Sequence, residues 1–164
     1  ARLRRNCTGT DMTEPVVEQI MANVRTRMAA AFDDVYRSTR TGTWQPKDLV
    51  LSVHQGALTP NPELSCPGNP PAQAYDLEAI VAGIVKPSDA STVAVDTFKN
   101  RLGADIIKAA TDATNWHQWG SLAMNTTIGT VEEYIEETGG LQGVMVRFTI
   151  TFRTDENDPY EVRG

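Results

Sequence analysis

The chain has 164 residues, of which 40% are apolar and 22% are charged, and it carries a formal net charge of -6 at pH 7. This length accommodates one domain whose core needs no disulfide or metal to hold it, and the composition excludes wholesale disorder. The acidic balance argues against a nucleic-acid-binding protein, which normally has a basic surplus.

The ends of the chain are interpreted from composition. Residues 1–11 contain a basic cluster at Arg2, Arg4 and Arg5 with no apolar segment behind it, so they are predicted to be a flexible basic arm rather than a secretory signal. They could equally be extra residues ahead of a natural start at Met12. Residues 12–154 are predicted to form a single α+β domain, and residues 155–164 an acidic polar tail.

Other features of composition narrow the possibilities. No apolar run approaches the roughly 18 residues that are needed to cross a bilayer. Cys7 and Cys66 lie far apart and belong to no metal-binding motif. Two separate reduced thiols are therefore favoured over a disulfide.

The first predicted element is an amphipathic helix. Glu14 and Pro15 suit a first helical turn, with Thr13 or Asp11 as its cap. Behind them, apolar residues recur at the i, i+3, i+4, i+7 spacing of a helix. They are Val17, Ile20, Met21, Val24, Met28, Ala31 and Phe32.

Two strands and a long loop are predicted next. Segment 34–39 forms the first strand and segment 49–54 the second, in which Leu49, Leu51 and Val53 share a face. The segment 56–71 contains five prolines, which remove backbone donors and fix φ, so an irregular loop is predicted there. For a loop of this length, contact with a partner is favoured over catalysis.

The middle of the chain predicts a strand and a second helix. Apolar residues occupy both the odd-numbered and the even-numbered positions of segment 74–85, which favours a strand buried on both faces. A helix is the open alternative. The helix that follows has a single apolar face. The apolar face of this helix consists of Val95, Phe98, Leu102, Ile106 and Ala109.

Trp116 and Trp119 mark a break after the helix and are predicted to pin its end to the sheet.

Two further strands complete the order. Apolar and polar residues alternate in segment 122–130, which predicts a strand with one solvent-exposed face. Segment 138–140 is predicted to be a turn, and segment 144–153 is the clearest strand of the chain. The order predicts an α+β fold: a mostly antiparallel sheet of four to five strands with two amphipathic helices packed on one face.

The motifs that carry catalysis are missing. No phosphate-binding loop, dinucleotide fingerprint, nucleophile elbow or zinc-protease motif occurs. For His54 and His117, hydrogen-bonded or solvent-facing roles are favoured over catalysis. The segment 155–158 fails the calcium-loop template and is interpreted as a solvated acidic turn. We therefore predict that the protein is not an enzyme and has no cofactor and no metal.

The C-terminal strand carries a resemblance to a known family. The run 146–154, followed by 155–160, is similar to the closing strand and tail of tail terminator (tail completion) proteins of long-tailed bacteriophages. The opening helix followed by Val35-Tyr36-Arg37 also resembles that family, as does a proline, Pro46, that leads into a strand and a glycine. So does the run 96–100 that opens the second helix ahead of Trp116. The similarity spans Thr13 to Tyr160, and the basic arm and the proline-rich loop depart from it.

The resemblance implies a structural virion subunit in the phage neck, assembled in the host cytoplasm. Such subunits form a ring, usually a hexamer, at the head-proximal end of the tail tube, where they stop tube polymerisation and join the tail to the head. The implied partners are further copies of the chain, the tail tube protein and a head connector or stopper protein. DNA passes through the lumen without specific binding, which an acidic ring suits, and no membrane is involved.

Two alternatives stay open. One is another phage neck or tail structural protein, such as a head-completion stopper or a tube subunit. The other is an unrelated small enzyme or binding module, which would require a pocket with converging polar groups.

Candidate contact residues follow from position and composition. Arg147 and Arg153 are placed at the contact between subunits, because arginine forms forked contacts with carboxylates, although both could merely line the wet face of the last strand. The carboxylates of a neighbour that they would meet are Asp155, Asp158, Glu132, Glu133, Glu136 and Glu137. The contact with the tube or connector is placed on Leu58, Pro60, Pro62, Leu64 and Tyr160.

Overall fold

The computed structural model describes residues 14–37, 49–85, 95–136 and 141–163. These residues form two α-helices, one short 3-10 helix and six β-strands. In chain order they are α1 (Val16–Ala29), β1 (Val35–Arg37), β2 (Leu49–Pro60), β3 (Ala72–Val85), α2 (Val95–Thr111), the 3-10 helix (Trp116–Gln118), β4 (Asn125–Glu136), β5 (Leu141–Asp155) and β6 (Asp158–Val162).

The strands form one sheet in the order β1-β2-β3-β5-β4, and β6 pairs with β5. Among the strands of the described residues, only the β1–β2 pair is parallel. Because β3 pairs with β5 as far as Asp155, β6 lies on the other side of β5, in line with β4. The predicted α+β fold with a mostly antiparallel sheet is confirmed, and β6 is a strand beyond those predicted.

Both helices pack on the same face of the sheet, which we call the helix face. The alternation predicted for β5 is confirmed, because every second residue from Val144 to Phe152 is buried in the core. Burial of each large apolar side chain stabilises the fold by roughly 1.5–3 kcal/mol. The largest fully buried side chains are Trp119, Phe148, Phe152, Ile20, Met21, Met28, Leu51, Leu77, Ile106, Ile150, Val16 and Val24.

The helix α1 is confirmed, with corrections at its ends. Pro15 occupies the N-cap and no side chain caps the helix; Thr13 and Asp11 lie outside the described residues. The helix ends at Ala29, so Ala31, which the periodicity placed on the apolar stripe, lies beyond it and is exposed.

The strand β2 is longer than predicted, and the predicted loop is correspondingly shorter. The strand continues to Pro60, which pairs with Tyr75 of β3. Proline is tolerated here because β1 flanks β2 only at Leu51 to Val53, so no described strand needs the missing N–H of Pro60. Residues 61–71 are irregular, as predicted.

The C-terminal part differs in two places. Leu122 and Met124 precede β4, which runs from Asn125 to Glu136 instead of ending at Thr130, and the predicted turn at 138–140 lies outside the described residues. The segment 155–164, assigned from composition to a polar tail, contains β6. None of the helices in the described ranges has the length and apolar character that crossing a membrane requires.

Candidate functional site

A row of charged side chains crosses the open face of the sheet, the face opposite the helices. Arg147 of β5 donates through Nη1 to Glu78 Oε1 of β3 at 2.8 Å and through Nη2 to Glu132 Oε2 of β4 at 3.3 Å. The backbone N–H of Ala57 in β2 donates to the other oxygen of Glu78 at 3.3 Å. We call this row, which joins four strands, the transverse ladder.

The register of the sheet brings these residues together. A β-bulge in β2 at 55–58 and another in β4 at 128–131 lie at the same level, where Ala79 of β3 pairs with Phe148 of β5. Bulges bend a strand and increase its twist, so the sheet curves along this line.

Each bulge contains a glycine that makes room for the ladder. A Cβ atom on Gly56 would overlap the carboxylate of Glu78. A Cβ atom on Gly129 would lie 3.1 Å from the carbonyl oxygen of Arg147. The glycine of β2 therefore leaves room for the Glu78 carboxylate, and the glycine of β4 lets its backbone approach that of Arg147.

Glu78 and Arg147 favour the charged form of each other. The hydrogen bond from Arg147, followed by that from the Ala57 backbone, lowers the pKa of Glu78. The hydrogen bonds to Glu78 and Glu132 raise the pKa of Arg147. All three side chains are partly exposed, so water screens the pairs and the ladder orients the strands more than it stabilises them.

The loop at 61–71 is held in a defined conformation by polar contacts to β3. The amide of Asn61 donates to Asp76 Oδ2 at 3.0 Å, and Thr151 donates to the other oxygen of Asp76 at 2.6 Å. The hydroxyl of Ser65 accepts the backbone N–H of Ala74 at 3.0 Å.

Two arginines fix the outer part of the same loop. Arg153 donates through Nε to the Leu64 carbonyl at 2.7 Å. Arg163 donates to the Pro70 carbonyl and to Asp155 Oδ1, the latter at 2.8 Å. The loop is therefore braced by β5 and by the segment that follows β6.

Exposed apolar side chains surround this braced loop. Leu58 is 41% exposed, Leu64 38% and Val162 of β6 39%. We call this region, residues 58–71 together with β6, the loop end of the sheet. Exposed apolar side chains on a backbone that hydrogen bonds hold in place are typical of protein contact surfaces.

The predicted contact with a tube or connector falls in this region. Leu58, Pro60, Pro62 and Leu64 are exposed, and Tyr160 lies half-buried in β6. The composition of β6 gave no strand signal, because it is short and contains a proline, and so Val162 and Arg163 were missed.

The predicted subunit-contact residues are engaged within their own chain. Arg147 meets Glu132, and Arg153 binds a backbone carbonyl instead of a carboxylate. The carboxylate of Asp158 accepts the backbone N–H of Tyr160 at 3.0 Å. Pairing of these residues between copies stays a prediction. Of the others, Asp155 pairs with Arg163, Glu133 pairs with Lys99, Glu136 ends β4 and Glu137 lies outside the described residues.

The outer edge of β4 is a further exposed feature that the sequence did not single out. This strand is last in the sheet path and has no described strand on its outer side. Ile128 is 40% exposed and Val131 50% exposed. A hollow of about 360 Å³ lies between β4 and the first turns of α2, with Val131 and Val144 among its lining residues.

Neither a metal centre nor a histidine site is formed by the described residues. No group of three His, Cys, Asp or Glu side chains in ranges 14–37, 49–85, 95–136 and 141–163 is placed to hold a metal ion. Burial, followed by the charge of Arg37, lowers the pKa of His54, which is therefore neutral at pH 7. The backbone carbonyl of His117 accepts the Thr126 hydroxyl at 2.8 Å.

Comparisons with known proteins do not establish a family. No protein-family model and no curated protein matches the chain. Among solved structures the chain is similar to one described as the virion of a native gene transfer agent particle, with a TM-score of 0.38, 11% identity, and coverage of 87% of this chain and 95% of that chain. Similarity at this level does not establish a shared fold or function.

Proposed function

We propose that the protein is a structural virion subunit, a tail terminator that forms a ring at the head-proximal end of a phage tail tube. In this role it stops tube polymerisation and joins the tail to the head connector or stopper protein. The observation that carries the proposal is the loop end, a braced surface with exposed apolar side chains in the segment where position and composition place the tube or connector contact.

The bracing supports a docking role for the loop end. A loop that is already ordered loses little conformational entropy when a partner covers it, so more of the contact energy remains for binding. Arg153 and Arg163 order the backbone of the loop at Leu64 and Pro70. The exposed Leu58 and Leu64 side chains then supply apolar area.

Contacts between ring neighbours are proposed at Arg153. Its hydrogen bond to Leu64 uses Nε, and it forms no ion pair within the described part of the chain. The guanidinium therefore remains available to a carboxylate of a neighbouring copy, whereas Arg147 already binds two carboxylates of its own chain. Arg153→Glu is expected to prevent ring closure without unfolding the subunit.

Binding to purified tail tubes tests the proposal. The wild-type protein, mixed with tubes that lack a terminator and viewed by negative-stain electron microscopy, is expected to cap one end of each tube as a closed ring. Leu64→Asp is expected to abolish capping. The matched control is Val131→Lys, which places a charge at a similarly exposed apolar position outside the loop end and should leave capping intact.

Other outcomes would contradict the assignment. Failure of the folded wild-type protein to bind tube ends would reject the terminator function. Growth of long cylinders from the isolated protein would identify a tube subunit instead, because a terminator stops at one ring.

A further inference from the structure

We infer that the outer edge of β4 is a contact surface for a second copy of this chain, paired with its own β4 in an antiparallel ladder centred on Thr130 and Val131. This contact goes beyond the proposed function. Two copies related by a two-fold axis form a closed dimer, whereas the subunits of the proposed ring all point the same way along its axis. The two contacts are therefore different, and neither depends on the other.

The edge lacks most of the usual protection against strand pairing. Edge strands in soluble proteins are commonly guarded by lysine, proline, charged side chains or β-bulges. Of these, β4 has the bulge at 128–131, so the ladder would form on either side of that bulge. The segment 125–136 contains no lysine and no proline. Its described glutamates are engaged within the chain, since Glu132 binds Arg147 and Glu133 binds Lys99.

Apolar side chains mark the middle of the same strand. Val131, at 50%, has the highest exposure among the large apolar side chains of the described residues, and Ile128 is 40% exposed. The register pairs them with Val146 and Phe148, two core residues, so both lie on the helix face. Side chains on one face of adjacent strands contact each other, so a second β4 would cover this apolar area.

The charge pattern of β4 favours a second copy as the occupant. The half at 125–130 has no charged residue, whereas the half at 131–136 contains three glutamates. Antiparallel self-pairing about the centre of the strand puts each acidic half against an uncharged half, with Glu133 opposite Ile128 of the second copy and the bulge residues Gly129 and Thr130 between the two paired segments. Parallel pairing would align the acids, and like charges opposite each other destabilise a ladder.

The hollow beside β4 fits this arrangement. Val131, Val144 and Glu133 line it together with residues of the first turns of α2. In the antiparallel pair, Ile128 of the second copy lies opposite Glu133 on the helix face, at the mouth of the hollow. Its side chain would there cover Val131 and Val144, which adds apolar contact to the backbone ladder.

Sedimentation equilibrium over a range of concentrations tests the inference. The wild-type chain is expected to form dimers, and Val131→Lys is expected to weaken dimerisation roughly tenfold or more, because it buries a charge at the centre of the pair. The matched control is Val162→Lys on β6, which makes the same change at an exposed valine outside the ladder and should leave dimerisation unchanged. Circular dichroism checks that each variant is folded.

Each other outcome overturns the inference. A wild-type protein that stays monomeric up to its solubility limit would reject it, and so would dimers or larger assemblies that Val131→Lys leaves unchanged. Association with a different protein at β4, without self-association, would identify another occupant. A dimer that loses affinity in Val131→Lys but does not bind tail tubes would reject the proposed function and leave this inference intact.

Discussion

At the scale of single residues, the structure gives Arg147 two partners within its own chain. The sequence placed it on the wet face of the last strand, where it was free to meet a neighbour. The register instead brings Glu78 and Glu132 to either side of it. Which acids lie next to an arginine on a strand is set by the pairing of the flanking strands, and the spacing within β5 does not contain that information.

The transverse ladder predicts a pH dependence of stability. Arg147, then Ala57, lowers the pKa of Glu78 in the folded protein, so the unfolded chain binds that proton more tightly. The stabilisation is therefore present above the ordinary glutamate pKa and is lost as the pH falls through the lowered value. In urea titrations, Glu78→Gln is expected to lower the unfolding midpoint at neutral pH, and the difference from wild type should vanish in acid.

The control for this prediction is Glu63→Gln, which alters an exposed carboxylate without a partner among the described residues. Its midpoint should follow the wild type throughout. A difference between Glu78→Gln and wild type that persists unchanged into acid would show that the ion pair is not its origin.

At the scale of elements, Arg27 of α1 fastens the end of α2 to the sheet. Its Nη1 donates to the carbonyls of Ala110 at 3.0 Å and Trp116 at 2.7 Å, and its guanidinium lies 4.0 Å from the ring centroid of Trp119. The buried Trp119 donates through Nε1 to Thr126 of β4 at 2.8 Å. The prediction that the tryptophans pin the helix end is confirmed for Trp119, whereas Trp116 is half-buried.

Removal of this contact is expected to destabilise the fold. Arg27→Met keeps most of the apolar stem but leaves two carbonyls without their charged donor, which should lower the free energy of unfolding by about 1–2 kcal/mol. Arg25→Met, at an exposed position two residues before Arg27, should change it by less than about 0.5 kcal/mol. Chemical denaturation measures both, and equal effects would contradict a specific role for Arg27.

At the scale of the whole molecule, the two proposed surfaces are separate. The loop end begins at Leu58, which lies level with Ile150 of β5, whereas Val131 pairs with Val146 of that strand. Leu58 and Val131 also lie on strands that have β3 and β5 between them. From Val146 to Asp155 the strand extends about 30 Å, so one partner at each site is compatible with the other.

This separation predicts that the two contacts respond to different substitutions. Leu64→Asp is expected to weaken tube-end binding at least about tenfold while dimerisation stays as in wild type, and Val131→Lys is expected to do the reverse. Parallel measurements by electron microscopy and sedimentation decide this. If either variant impaired both contacts, the surfaces would be coupled and the proposal of independent sites would be wrong.

The sequence by itself determined the regular elements with strong local periodicity. Both helices, β5 and β3 follow from the spacing of apolar residues, because a helix or strand repeats its exposure every few residues. The burial on both faces that was predicted for β3 is found only at 81–84, since half-exposed residues such as Glu78 lie on the open face. The layered α+β arrangement follows from the order of these elements. The irregular course of the chain around Leu64 also follows, since the prolines there exclude a helix or interior strand, whereas Leu58 and Pro60 lie in β2.

Only the tertiary structure decided which strands are neighbours, and hence the candidate sites. Strand pairing joins residues far apart in the chain, so no local pattern specifies that β4 is an edge, that β6 pairs with β5, or that Pro60 can end a strand. The exposure of Val131 illustrates this: its apolar side chain is ordinary in the sequence and becomes a candidate contact because nothing described covers the edge that carries it. Burial and charge pairing depend on three-dimensional neighbours, and the fold supplies them.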